Sequence, residues 1–527
     1  MAETYDVVIA GAGHNALIIG CYLAKAGQKV CIVEKNPKAG GSVATDEVCA
    51  PGFKHDVCSV AHSLILGNPL MRNDELGLLS KYGLEYKMPE QLTAVFFDDG
   101  TGLEFYNDID RTCASIAKFS EKDAVAYRGF IEEVYKTIDM LVMGMFNIPP
   151  SGGVQAAMMD QSPEGRELMR LQAMSSWDFI CEWFENEKVK IALARYASEA
   201  MMNPFDNGTG FGFYLILPYI HKYGLGIPVG GSGALADALV RCFTDHGGVI
   251  KLNSPIKQIK LSGGEAAGLI LESGDEVLAS KGVVAGLHVT QVFPNMVPGV
   301  ELPEDFLFRL KRIKYAGLKP FIVQLALTEP LKFKAGEAAS DFYWVERSHN
   351  DTETFANALR QLEHGYPVRD FAAYIQQYKA DPSRLPPGKG MVHIYAFAPL
   401  DLKDGGREKW DEIGAEVAQG FIDDLANLTT NLKPENIIGM HFKTPLDVTR
   451  YNNALVECDI QHIGFYSWQL GGNRPVPGWG QYKSPVPKLY MTGGSTHPGG
   501  GVTGAPGRNA TQVIMEDLGL DFDALIG

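Results

Sequence analysis

The chain has 527 residues, enough for about two to four domain-sized units and a large buried core. Its 47 Lys and Arg against 63 Asp and Glu leave a formal charge of −16. That argues against nucleic acid as a partner, because phosphate binding needs a basic surface, and gives anionic membrane surfaces no general electrostatic pull.

Eight cysteines (Cys21, Cys31, Cys49, Cys58, Cys113, Cys181, Cys242 and Cys458) form no CxxC pair and no metal-ligand spacing. A cytoplasmic protein with reduced thiols and no metal is expected. The N-terminus enters an apolar strand at Tyr5 without a basic leader, so no secretory signal is expected. The longest apolar run, FGFYLILPYI at 211–220, falls well short of the roughly 18–20 residues that span a bilayer.

In chain order, YDVVIA at 5–10 reads as a buried parallel strand, 15–27 as a helix and KVCIVE at 29–34 as a second strand, which together make one βαβ unit. LTAVFFDDGTGLEFY from 92 alternates around a DGTG turn and predicts an antiparallel hairpin. Residues 121–200 are mostly helical. Their Met-rich stretch from Met140 to Met159 reads as ordinary core, with a substrate mouth or membrane-facing patch as the alternative. At 230–233, GGSG opens a helix and reads as a turn between domains. Strands follow around Pro255 and at 276–286, then alternating helix and strand over 301–455. A strand at 488–492 leads into a glycine-rich loop and a helix from about Val502. Two units are expected. One is assembled from 1–85, 225–300 and 456–527. The other is an inserted mixed α+β unit from 86–224 and 301–455.

Two segments carry nucleotide chemistry. Gly11-Ala12-Gly13-His14-Asn15-Ala16 follows a strand and opens a helix. The first glycine makes the turn, Gly13 admits a pyrophosphate to backbone N–H groups, and Ala16 takes the close-packing position. Glu34 ends the next strand, where a carboxylate accepts bonds from ribose hydroxyls. Gly40-Gly41 follows, suiting a loop that passes close to an extended dinucleotide. At the other end, LYMTGGSTHPGGGVTGAPGRNAT (489–511) concentrates glycine, which lets backbone approach a flat or charged ligand.

With these motifs the chain resembles the flavin-containing amine oxidase and phytoene desaturase superfamily. THPGGGVTGAPGRNA, GAGHNALIIGCYLAKAG and IPVGGSGALADAL are similar to the branch holding carotenoid desaturases, ketolases, isomerases and retinol saturases. The resemblance implies an α/β protein with a GR2-type Rossmann-like domain binding FAD. It puts Gly11, Gly13, Asn15 and Ala16 at the pyrophosphate, and Glu34 and Lys35 at the adenosine ribose. Gly41, Ser42 and Val43 would run toward the flavin, with Ile256 at the adenine. Gly494, Gly501 and Val502 would hold the ribityl chain and flavin ring, a helix-start N–H there favouring the anionic reduced ring. Many relatives carry an acid after the last strand, where this chain has Gly494 and Ser495.

Tyr219 and His221, just before the glycine turn, and His497, in the C-terminal loop, are the candidate acid–base groups; His62 is a further one. Arg474 reads as an inter-domain salt bridge. The resemblance implies desaturation of a hydrophobic isoprenoid or alicyclic substrate by hydride transfer to flavin N5. Ketolase or monooxygenase, isomerase and saturase activities stay open, as does a flavin-bearing interaction protein without turnover. With no second dinucleotide motif, the electron acceptor is expected to be a quinone, dioxygen or an external carrier. Peripheral membrane contact and oligomeric state stay open.

Overall fold

The computed structural model describes residues 3–527, and they form two seven-stranded sheets. Strand β1 (Glu3–Ala10), helix α1 (His14–Lys25) and β2 (Val30–Val33) come first, then the hairpin β3 (Gln91–Phe97) and β4 (Gly102–Tyr106). Helices α2 (Glu121–Tyr135), α3 (Ile138–Met145), α4 (Gly152–Met159), α5 (Glu187–Ala197) and α6 (Gly210–Tyr223) follow. Next are α7 (Gly233–Asp245), β5 (Val249–Lys251), β6 (Ile256–Ser262), β7 (Glu265–Leu271) and β8 (Glu276–Ala285). Then come β9 (Lys319–Leu327), β10 (Trp344–Ser348), β11 (Ala372–Ile375), β12 (Gly390–Ala398), α8 (Trp410–Leu428) and β13 (Ile437–Lys443), and finally β14 (Leu489–Met491) and α9 (Ala505–Asp517).

The first sheet runs β6-β7-β8-β1-β2-β5, with β14 also paired to β8. Its centre is parallel: β1 pairs in that sense with β2 and β8, and β8 with β14. Val7 and Ile9 enter a core with α1, α7 and α9, while Val8 and Ala10 enter the core on the opposite face. Burial on both faces is why YDVVIA shows no polar alternation. The chain ends meet here, because the Asn15 side chain on α1 accepts the Gly507 N–H of α9 at 3.2 Å.

The second sheet runs β13-β9-β12-β11-β10-β3-β4 and is antiparallel except where β10 lies parallel to β3. Helices α2, α5 and α6 cover one face and α8 the other. The GGSG turn lies where the sheets' elements meet: Gly230 N–H donates to Asp381 at 2.7 Å and Ser232 N–H to Asp56 at 2.6 Å.

Two local expectations change. The last helix begins at Ala505, three residues later than Val502, because Gly504 takes a left-handed φ of +67° and Pro506 sits in the first turn. The Met-rich stretch is core only in part, through Val142 and Phe146. No residue of α4 is buried, and Met140, Met143 and Met158 are exposed. The helix is apolar all round and packs too little of itself to hide that surface. No helix among the described residues is long and apolar enough to cross a membrane.

Candidate active site

The turn between β1 and α1 creates the first half of the site. Gly11 turns the chain at a φ of +86°, a conformation open chiefly to glycine. Gly13 differs: its φ is −66°, open to any residue, yet no atom lies within 4 Å of where its Cβ would stand. The protein makes no use of that space, so the missing side chain leaves it for a ligand. Glu34 is held in place by the N–H groups of Ala12 at 2.8 Å and Asn36 at 2.9 Å. Gly40 N–H donates to Ala12 carbonyl at 2.8 Å, bringing Gly41 and Ser42 alongside.

The result is a cavity of about 370 Å³ lined by Gly11, Gly13, Asn15, Ala16, Glu34, Lys35, Gly41, Ser42, Ile256 and Gly494. A second cavity of about 330 Å³ takes in Val43, Gly501 and Val502, and its other walls are largely apolar side chains. His14, Asn15, Ser42, His462 and Gly494 line both, so the two adjoin. All thirteen residues expected at a cofactor are brought to one of these two spaces. A broader cleft of about 630 Å³ at Thr101, Lys118 and Lys188 shares no wall with either.

The C-terminal glycines divide by role. A Cβ on Gly494 would strike the His462 ring at 2.8 Å, one on Gly500 the Gln461 Cα at 2.5 Å, and one on Gly507 the Asn15 carbonyl at 2.6 Å. Close packing of protein therefore requires glycine at all three positions; Gly494 and Gly500 also line the cavities, whereas Gly507 lines neither. Gly493 has nothing within 4 Å of its missing Cβ.

Arg474 secures this loop. It is fully buried and belongs to no ion pair among the described residues, so the expected salt bridge is not what it makes. Its guanidinium donates to the carbonyls of Gly494 at 2.6 and 3.1 Å, Gln461 at 2.6 Å and Ile463 at 3.0 Å. Burial lowers its pKa to about 9, despite the opposing pull of Asp459, so it stays cationic behind the loop at neutral pH.

The acid–base candidates lie elsewhere. Tyr219 donates to Leu64 carbonyl at 2.5 Å and accepts Gly67 N–H at 3.1 Å. His221 donates from Nδ1 to Asn107 carbonyl at 2.9 Å, and its Nε2 meets the Tyr127 hydroxyl at 2.7 Å. His497 donates to Gly144 carbonyl at 3.0 Å. His62 is held between Tyr86 and Ser232. None of the four lines either cavity. Each has partners that fix packing between segments, which is where the structure redirects these assignments.

The imidazoles at the junction are His14 and His462. Burial lowers the pKa of His14 to about 4 and that of His462 well below the ordinary range, so both are neutral. His288 donates to His462 carbonyl at 2.8 Å and stacks on its ring at 5.3 Å. His14 was visible as the variable position of GxGxxA; His462 lies in an irregular segment with no pattern to mark it.

A family model described as an NAD(P)-binding Rossmann-like domain matches residues 9–70. A limonene dehydrogenase chain of Castellaniella defragrans is 23% identical, covering 98% of this chain and 95% of its own length. A lycopene-forming phytoene desaturase of Pseudescherichia vulneris is 23% identical, covering 97% and 99%. The solved structure of putrescine oxidase bound to putrescine superimposes with a TM-score of 0.59 at 13% identity, covering 98% of this chain and 99% of its own. The residues present fit FAD, which is the cofactor. Space at Gly13 suits the pyrophosphate, Glu34 the ribose, and the second cavity a flat ring beside a substrate.

Proposed function

We propose that this chain, an FAD-dependent oxidoreductase related along its whole length to phytoene desaturases, dehydrogenates a hydrophobic isoprenoid or alicyclic substrate. The observation that carries this reading is the wall shared by the two cavities at His14, Asn15, Ser42, His462 and Gly494. It puts an apolar compartment directly beside the dinucleotide space. About 330 Å³ is near the small end of ligand pockets, which run about 300–1,000 Å³, and part of it must take the flavin ring. That supports a compact cyclic substrate over a long polyene.

Bound FAD supplies a two-electron acceptor for a hydride from a substrate C–H. The chain's part is to hold that C–H at about 3–3.5 Å and exclude water. Leu64, Ile220, Leu225, Ile322 and Leu455 provide the water-excluding surface. The Gly500–Val502 backbone lines the same cavity, and Arg474 holds Gly494 beside it. His14 and His462, kept neutral, place no competing charge at the junction. The second hydrogen leaves as a proton.

The division into residues 1–85, 225–300 and 456–527 for cofactor, and 86–224 and 301–455 for substrate, is part of the proposal; the two sheets support it by the segments they draw on. Reoxidation falls to a quinone, dioxygen or external carrier. The test is anaerobic mixing of the yellow holoenzyme with alicyclic and isoprenoid compounds. Substrate-dependent bleaching of the flavin with formation of a new C=C bond is expected. If none of these compounds bleaches it, the dehydrogenase reading fails. Oxygen incorporation into product would favour a monooxygenase instead.

A further inference from the structure

The second cavity is apolar over most of its wall but not all of it. Where α5 and the turn after it meet β3, β10 and β12, the lining becomes Thr93, Tyr196, Glu199, Trp344, Glu346 and Tyr395. Carboxylates in an apolar compartment are costly unless paired. Arg195, 2% exposed, lies between the two, bonded to Glu199 and 3.2 Å from Glu346. One guanidinium balances one carboxylate, and there are two.

The two acids are not equivalent. Glu346 is 5% exposed at its side chain and also accepts the Trp344 indole N–H. Glu199 has Arg195 on one oxygen, and a quarter of its side-chain surface is open in a residue that lines the cavity. The hydroxyls that face it are committed elsewhere: Tyr196 donates to Thr93 at 2.6 Å and Tyr395 to the Met201 sulfur at 2.8 Å. An ion pair built for stability alone would need Arg195 and Glu346 and no second acid.

We propose that Glu199 hydrogen-bonds one oxygen function, a hydroxyl or a carbonyl, on an otherwise apolar ring or isoprenoid. The substrate class is then an oxygenated alicyclic terpenoid rather than a bare hydrocarbon, an assignment that rests on the dehydrogenation reading of the same cavity. Glu199 is suited to both functions. Burial and the neighbouring Glu346 raise its pKa to about 7 against the opposing pull of Arg195. Tyr196 and Tyr395, the other titratable groups facing it, are raised and stay neutral. Below neutrality the carboxyl donates to a carbonyl; above it the carboxylate accepts from a hydroxyl.

The test titrates the holoenzyme, following the flavin spectrum, with three matched probes: a monocyclic terpene hydrocarbon, its ring alcohol and its ring ketone. The two oxygenated probes are expected to bind roughly tenfold tighter than the hydrocarbon, the worth of one good hydrogen bond. Ketone binding weakens between about pH 6 and pH 8.5 as the donor proton is lost, while alcohol binding persists. Glu199→Gln, which keeps shape and hydrogen bonding, retains both preferences and abolishes the pH dependence. Glu199→Leu makes the three probes bind alike. FAD content reports whether each variant is folded.

Equal affinity of all three probes for the unmodified enzyme, or a preference that survives Glu199→Leu, overturns the assignment. So does ketone binding that ignores pH. Bleaching is read separately. Glu199-dependent binding without bleaching by any probe would sink dehydrogenation and leave the binding role standing. Equally rapid bleaching by the hydrocarbon, without Glu199 dependence, would do the reverse.

Discussion

The cofactor side of the site and the substrate side are built from different materials. Around the dinucleotide space, glycine is concentrated in the wall: Gly11, Gly13, Gly41, Gly286, Gly493 and Gly494 offer backbone without a side chain. Opposite, the substrate wall is side chain almost throughout, from Leu92, Tyr196, Ile216, Trp344 and Tyr395. A surface of backbone demands glycine at fixed spacing, and spacing is readable in a single sequence. A surface of side chains collects residues hundreds of positions apart, each ordinary in its own neighbourhood. The first kind serves one ligand closely; the second changes by single substitutions, which is how one fold accommodates many substrates.

The contrast can be broken first at Arg474. Arg474→Leu leaves the carbonyls of Gln461, Ile463 and Gly494 without their donor. At about 1–3 kcal/mol per unpaired buried group, destabilisation of at least ~3 kcal/mol is expected in thermal or urea unfolding, with loss of FAD. A stable variant holding full FAD would mean the loop keeps its shape without the clamp.

Gly13→Val comes next. The new side chain takes up the space left open at Gly13. With overpacking worth about 1–3 kcal/mol, FAD affinity should fall roughly 10- to 100-fold with little change in apoprotein stability. Stoichiometric yellow protein would remove the pyrophosphate from this position. Tyr219→Phe asks whether Tyr219 works through packing. Losing its bonds to Leu64 and Gly67 should cost about 1–2 kcal/mol of stability while the rate of flavin reduction per bound FAD holds. A rate collapse in a stable variant would return Tyr219 to the chemistry.

At the substrate wall the expected effect is a dependence of stability on pH. The Glu199 pKa, raised to about 7 from the ordinary glutamate value of 4.5, means the folded state holds its proton more tightly than the unfolded chain. That contribution is fully present below about pH 4.5 and is lost as pH rises through 7. Unfolding measured across that window should show the loss, and Glu199→Gln, which does not titrate, should flatten that part of the profile. An unchanged pH profile would place the titration elsewhere.

Much of the fold was legible. The apolar run 5–10, the GxGxxA turn and Glu34 specified the βαβ unit, and alternation around DGTG specified the β3–β4 hairpin. These are local patterns, each set by burial on one or both faces of a strand or by one turn. Exposure of α4 was not legible, because an apolar helix reads the same whether or not another element covers it. Tyr219, His221 and His497 attracted attention by residue type and nearness to glycine. Direction of the side chain decided their roles, and direction follows from tertiary packing.

By itself the sequence determined an α/β dinucleotide-binding fold, because backbone contact with a pyrophosphate leaves few choices of residue at few positions; FAD rather than another dinucleotide followed from the family resemblance of the glycine-rich segments. Only the tertiary structure decided which groups face the substrate. It brought Glu199 after α5 and Glu346 on β10 to one Arg195, set them in the wall of an apolar cavity, and turned four glycine-neighbouring candidates away from it. Chemistry there depends on desolvation and on charges close together, and those arise when distant segments pack.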